Sequence, residues 1–281
     1  MTFTHKEAEL YFPKDSHGGL SLTTDLCVSA HQDDIEIMCY GPIAACKQDP
    51  ERHFMAVVVT DGAGSPRVGK FADYTDEEMK KVRITEQKKA AELGSYQALA
   101  LLGYPSREIK DAENQNAVRE LASLFLEARP ERVYLHNFAD KHDTHVAAAL
   151  RALAALRSVR DEYQPKQLVL LEVWRSLDWL CDRDKVLYDT SYDPKLAEDI
   201  LNVYESQIAG GKRYDLAAIG RRYANATFFE SHATDEATGL SYGLDATELI
   251  RSEESPLSFI NRYMDAFRDE VNDRLKRLGE R

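Results

Sequence analysis

No run of this chain approaches the about 18 consecutive apolar residues that a membrane-crossing helix needs, so no transmembrane segment is expected. The stretch Met1 to Asp15 carries Lys6, Glu7, Glu9 and Lys14, with neither an apolar core nor a small-residue cleavage site, and so does not have the pattern of a signal peptide. Cysteine is scarce: Cys27, Cys39, Cys46 and Cys181 form no Cys-x-x-Cys pair. They read as reduced, mostly buried thiols of a cytoplasmic protein, and no ligand-pair spacing supports a thiolate metal site on Cys27 and Cys39. Positive charge is in deficit, with 36 Lys and Arg against 48 Asp and Glu and a net charge of −12. That balance argues against nucleic acid and anionic membranes as main partners, because both repel a negative chain. Low-complexity linkers and internal repeats are missing, so any second unit should pack on the first. No Gly-x-Gly-x-x-Gly follows the first strand-like run, which excludes a dinucleotide-binding turn there.

What is present is a regular alternation. Short apolar runs at 26–30, 54–60, 98–102, 132–136 and 167–173 read as buried strands, the second rich in β-branched residues and ended by Asp61-Gly62-Ala63-Gly64-Ser65-Pro66. Helical patterns over 37–47, 75–93, 116–128 and 144–160 lie between them, with Thr75 a candidate N-cap and Gly94 a stop. This order predicts an α/β fold, a Rossmann-like, mostly parallel sheet flanked by helices. After Asp189 the pattern turns helical over 194–209 and 258–278. The expected organisation is an α/β metal-binding catalytic domain over 1–189 and a smaller helical portion over 190–281, packed on it and completing the pocket. The 258–278 stripe of Phe259, Ile260, Tyr263, Met264 and Phe267 fits a docked helix or, alternatively, a contact between copies in a homo-oligomer.

In parallel sheets, ligands sit beyond the carboxyl ends of the strands. Beyond the first strand lies Ala30-His31-Gln32-Asp33-Asp34-Ile35-Glu36, one histidine and three carboxylates in a turn. Neighbouring carboxylates repel unless a cation offsets them, and His with Asp is a usual zinc ligand set. The plain alternative is an acidic helix N-terminus favoured by the helix dipole. Beyond the fourth strand lies Asp140-Lys141-His142-Asp143-Thr144-His145, where His142 and His145 share a helix face; otherwise they are two solvated loop histidines. Both segments should emerge at one sheet edge. Three protein ligands and an open position on zinc suit hydrolysis, with a spare carboxylate and a histidine for proton transfer.

Ala30-His31-Gln32-Asp33-Asp34-Ile35-Glu36-Ile37 resembles the opening motif of the PIG-L/LmbE-like de-N-acetylases. The resemblance continues through Thr60-Asp61-Gly62-Ala63-Gly64, through Arg83 and Glu86, through His142 and His145, and through Tyr204-Glu205-Ser206-Gln207 and Thr227-Phe228-Phe229-Glu230. It spans residues 22 to 232. It implies that His31, Asp34 and His145 hold Zn²⁺, that Asp33 is the general base for a zinc-bound water, and that His142 stabilises the tetrahedral intermediate and protonates the leaving amine. It further implies substrate contacts from Arg67 and Asp140. The implied reaction is removal of an acetyl group from an N-acetylglucosamine-containing, small-molecule amino-sugar conjugate. Thr144 stands where the family has an Asp that orients the neighbouring His, a place that Asp143 or Asp140 could take. The readings that compete are an amidase of another acyl-glucosamine conjugate and a catalytically impaired sugar-binding relative.

Weaker signals complete the reading. His136 reads as a satisfied strand-end histidine, and His5, His17, His53 and His232 as surface histidines. Trp174 and Trp179 read as core packing at a strand end, with stacking on a sugar as the alternative.

Overall fold

The computed structural model of the chain describes residues 3–16 and 18–280; Met1, Thr2, Arg281 and His17, with its expected surface position, lie outside the described residues. Among the described residues, eight strands form one sheet: β1 (Glu9–Tyr11), β2 (Asp25–Ser29), β3 (Phe54–Thr60), β4 (Ala98–Tyr104), β5 (Arg132–His136), β6 (Gln167–Leu171), β7 (Lys185–Asp189) and β8 (Leu240–Asp245). Their spatial order is β1-β4-β3-β2-β5-β6-β8-β7. β4, β3, β2, β5 and β6 run parallel, while β1 and β8 are antiparallel to their neighbours. The expected mostly parallel sheet is therefore present, with antiparallel additions that the sequence pattern did not reveal.

The central strands owe their place to uninterrupted apolar runs, which suit burial on both faces. Every residue of β2 and β3 is buried. Alternate side chains serve opposite layers. Leu26, Val28, Met55 and Val57 pack with Leu121, Leu124 and Phe125 of the helix Asn116–Ala128 and with Ala148, Ala152 and Leu156 of the helix Asp143–Ser158. Cys27, Phe54, Ala56 and Val58 pack on the other face with Ile43 and Ala91. Each fully buried large apolar side chain contributes about 1.5–3 kcal/mol.

The helix Asp76–Leu93 starts at a full capping box: Thr75 Oγ1 accepts from the Glu78 N–H at 3.2 Å, and Glu78 Oε2 accepts from the Thr75 N–H at 2.8 Å. The helix expected over 37–47 is instead two, Asp34–Met38 and Tyr40–Gln48, because Cys39 leaves helical geometry with φ −108° and ψ 16°. The stretch 194–209 is likewise divided into Pro194–Asn202 and Glu205–Ala209. The long helix Pro256–Arg277 buries only Phe259 and Ile260 on the body. β8, from the C-terminal portion, pairs with both β6 and β7, so one sheet runs across residue 189.

Strand succession runs outward from β2 through β3 to β4, then resumes on β2's other side with β5 and β6. The β2/β5 boundary is the switch point of the sheet, where the diverging loops leave a crevice.

Candidate active site

The two segments singled out in the sequence meet at that switch point. β2 delivers Ala30 to Glu36, and β5 delivers Asn137 to His145. The turn after β2 is pinned on several sides. Ala30 donates its N–H to His136 Nε2 at 2.9 Å, and its carbonyl accepts the Thr60 N–H at 2.9 Å and the Thr60 hydroxyl at 2.8 Å. Asp33 takes φ 93°, a region that costs a side-chain-bearing residue about 1–3 kcal/mol and that Asp and Asn tolerate best. Arg83 holds it there. This guanidinium, 2% exposed, lies 3.3 Å from Asp33 Oδ2 and donates to the Gln32 carbonyl. Gly62, at φ 74°, lets this packing close: a Cβ there would stand 2.6 Å from Gln32 Oε1 and 3.0 Å from Arg83 Cγ.

Three side chains converge, Asp34 through both carboxylate oxygens. His31 Nδ1 lies 3.2 Å from Asp34 Oδ2 and 3.2 Å from His145 Nε2, and His145 Nε2 lies 3.3 Å from Asp34 Oδ1. Ligands held tetrahedrally about 2.0–2.1 Å from one zinc ion stand about 3.3–3.4 Å apart. The donor set of two imidazoles and a carboxylate, at this spacing, fits such an ion. His142 and His136 lie near the same cluster: His31, His142 and His145 place one nitrogen each within 4.8 Å of one another, as do Asp34, His136 and His145 with one donor each. His136 is nonetheless occupied. Its Nε2 accepts the Ala30 N–H, which fixes the ring proton on Nδ1, and burial together with His145 pushes it down to about 4, so it stays neutral. It stacks on His145 with centroids 4.1 Å apart.

The carboxylates are set apart by their surroundings. Burial pushes Asp33 up to about 6 against the pull of Arg83. Burial also works on Asp34, yet His145 first, and His31, hold it well below the usual carboxylate range. Glu36, raised to about 7 by burial, accepts from Tyr96 and Tyr204 at 2.6 Å each and from Gln87 at 2.9 Å. Glu86 bridges Arg83 and Ser206, accepting the Ser206 N–H at 2.8 Å and its hydroxyl at 2.7 Å. The Arg83, Glu86 and Tyr204–Gln207 motifs thus form one buried support behind Asp33.

Asp140 sits behind His145, its Oδ1 3.5 Å from His145 Nδ1. The same carboxylate accepts the N–H groups of His142 at 2.9 Å, Trp174 at 3.0 Å and Arg175 at 3.3 Å. Its side chain is fully enclosed, so it cannot meet substrate as expected. Arg67 is also turned away from the cavity: it donates to the carbonyls of Ala63, Ser65 and Tyr74 and pairs with Asp76, bracing its own loop. Neither Asp140 nor Asp143 reaches the His142 ring. Its Nδ1 is buried without a partner among the described residues, and Thr144 stands at the neighbouring wall.

His31, Asp33, Asp34 and His142 line a cavity of about 510 Å³. Its other walls include Trp174, Tyr214, Gln207, Lys110 and Arg221, none of which the sequence reading placed in the site. Trp174 lies parallel to His142 at 6.4 Å, with Tyr214 edge-on to it at 5.6 Å and Lys212 over its face at 5.4 Å. It packs against the core, as expected, and also forms a wall of the site. Lys110 and Arg221 form no ion pair among the described residues, and the only acids lining the cavity are Asp33 and Asp34. Thr227–Glu230 ends the helix Tyr214–Phe229 outside this lining, with Phe228 80% exposed. His5 is half-buried, its ring 4.3 Å from that of Tyr104.

The family model described as PIG-L, GlcNAc-PI de-N-acetylase, matches residues 26–156. No curated protein matches the chain. Among solved structures, the chain is similar to the 4-carboxy-2-hydroxymuconate hydratase GalB of Pseudomonas putida, with 17% identity and a TM-score of 0.64 over 80% of this chain and 96% of that one. It is similar to the N,N'-diacetylchitobiose deacetylase of Pyrococcus horikoshii, with 14% identity and a TM-score of 0.62 over 82% and 86%. It is also similar to the A40926 pseudoaglycone deacetylase Dbv21, with 18% identity and a TM-score of 0.57 over 79% and 96%. At these identities the likeness is one of fold.

Proposed function

We propose, from the match of the PIG-L, GlcNAc-PI de-N-acetylase model to residues 26–156, that the chain is a zinc-dependent enzyme removing an acetyl group from an N-acetylglucosamine-containing substrate. The observation that carries this reading is the convergence of His31, Asp34 and the buried His145 at the edge of a cavity that Asp33 and His142 also line. His31, Asp34 and His145 would hold the zinc ion, which, when bound, polarises the acetamide carbonyl and acidifies water.

The remaining chemistry belongs to side chains. Asp33, fixed by Arg83 and positioned by its unusual backbone, takes a proton from the attacking water as its oxygen adds to the acetamide carbon. Cleavage of the C–N bond leaves acetate and an amine, and His142 delivers the amine its proton. Asp140 orients His145, the role a carboxylate behind a ligating histidine commonly has. Trp174 and Tyr214 offer an apolar wall for a sugar face. Lys110 and Arg221 give the cavity of an otherwise acidic chain a cationic lining, suited to a carboxylate or phosphate on the conjugate.

The test combines zinc analysis with acetate release from paired neutral and anionic N-acetylglucosamine conjugates. The expected result is one zinc per chain, with the anionic members preferred and an about tenfold rise in their KM alone in Arg221→Ala. Absence of zinc binding, or no acetate from any conjugate, would sink the hydrolase reading.

One observation favours a second reading, a relative that binds the sugar and turns it over poorly: no carboxylate supports the His142 ring, and Thr144 stands beside it. Thr144→Asp separates the two. If the zinc-loaded wild type and this variant both bind substrate without releasing acetate, the binding reading replaces the first.

A further inference from the structure

Arg222, on the helix Tyr214–Phe229, is 4% exposed and lies outside the cavity described above. Its Nη2 donates to the carbonyls of Glu36 at 2.7 Å and Ile37 at 3.2 Å, and its guanidinium faces the Tyr40 ring at 4.7 Å. Its Nε and Nη1 have no partner, and no carboxylate pairs with it, among the described residues. The buried acids nearby are engaged elsewhere. Glu36 accepts from Gln87, Tyr96 and Tyr204, and Glu172 accepts from the Leu177 and Tyr242 N–H groups and from Asn225.

A guanidinium stays protonated in proteins, and a buried charge without a counter-charge is strongly disfavoured. Burial pushes Arg222 down to about 10 against the weaker opposing influence of Tyr40 and Glu172, neither of which forms an ion pair with it, and it is still charged at neutral pH. A second polar group stands in the same condition: the buried Thr190 hydroxyl also has no partner among the described residues. Arg222 and Thr190 line one small cavity of about 10 Å³, together with Ser191, Thr238 and Tyr223, and no acidic residue lines it. That space suits one water-sized or ion-sized occupant. Free N–H and O–H donors, one fixed positive charge and no acid select an acceptor of negative charge.

We propose that Arg222 and Thr190 bind a small monovalent anion of the halide class, which serves as the counter-ion of the buried guanidinium. The other side of the same guanidinium holds the carbonyls of the helix Asp34–Met38, so the anion braces the helix that carries Asp34. This inference rests on packing and charge and does not depend on the enzymatic reading.

The experiment uses the full chain with chloride and bromide as probes. Thermal unfolding in sodium chloride, against sodium gluconate at equal ionic strength, is expected to show a saturable Tm rise of about 2–4 °C. The rise is expected to vanish in Thr190→Val, which keeps the side-chain shape, and in Arg222→Met. Crystals grown in bromide are expected to show an anomalous peak beside Arg222 Nε and Thr190 Oγ1. A chloride effect undiminished in both variants, or ordered density there without bromide signal, overturns the proposal. Should the variants fail to fold, the bromide map of the wild-type chain decides.

Discussion

Asp140→Asn tests the support of the proposed metal site without touching a ligand. The wild-type carboxylate faces four donors. Oδ1 stands 2.9 Å from the His142 N–H nitrogen and 3.5 Å from His145 Nδ1, while Oδ2 accepts from Trp174 at 3.0 Å and Arg175 at 3.3 Å. Asparagine has one carbonyl oxygen, so either rotamer turns its NH₂ group toward one of these donor pairs. If the amide faces His145, the imidazole loses the acceptor that orients it and raises its basicity. Loss of such a partner commonly weakens metal binding about 10–100-fold, or about 1.4–2.7 kcal/mol. If it faces Trp174 and Arg175, the cavity wall loosens, at about 1–3 kcal/mol for each N–H left unpaired in the interior. The protein is expected to stay folded, with a Tm lowered by several degrees. Competition against a chromogenic zinc chelator measures the affinity, with Asp34→Asn as the reference for loss of a ligand. Zinc affinity within twofold of wild type, in a cooperatively folded variant, would refute the argument that Asp140 acts through His145.

Three further predictions follow from particular contacts. Asp33→Asn keeps a residue suited to φ 93° but removes the proposed base, so kcat should fall about 10²–10⁴-fold with zinc content unchanged, read by acetate release and metal analysis on the same sample. Gly62→Ala meets both a positive φ and a Cβ clash with Gln32 and Arg83, and should cost about 2–4 kcal/mol by chemical denaturation; a loss below about 0.5 kcal/mol would contradict the tight packing of this turn. Burial raises Asp25, but its bonds to Arg52 and Tyr134 prevail and hold it below the ordinary carboxylate value. Its contribution is therefore present above the unfolded-state value of about 3.9 and disappears as pH falls through the lower folded-state value. Arg52→Ala should lose about 1–3 kcal/mol at pH 7 and show a shallower acid-side decline, and an unchanged slope between about pH 2 and 5 would refute the linkage.

Much of the core was legible because local pattern and burial agree there. Phe54–Thr60 is an unbroken apolar run and lies buried over its whole length. Thr75 was the candidate N-cap, and the structure closes that cap with Glu78. β1, β7 and β8 were not legible. β1 and β7 have no fully buried residue, and β8 earns its place by pairing with β6 and β7, partners that no local window contains. The break at Cys39 lies where Pro42 has no N–H to give the Met38 carbonyl, a local signal that the expectation of one helix over 37–47 passed over.

The site divides in the same way. The residue types that do chemistry, His31, Asp33, Asp34, His142 and His145, were readable because polar clusters that follow apolar strands stand out locally. Where the charged side chains point was not readable. Arg67 and Asp140 read as substrate contacts, but Arg67 is consumed by the carbonyls of its own turn and Asp140 is enclosed by four donors. Arg83 and Arg222 sit in helices where charge ordinarily means solvent, yet both are buried because distant segments supply their acceptors. By itself the sequence determined which side chains were available, and that strand ends would carry them. Only the tertiary structure brought His31 and His145 together across 114 positions, because β2 pairs with β5 at the point where strand order reverses, and that pairing is a long-range choice no local periodicity encodes.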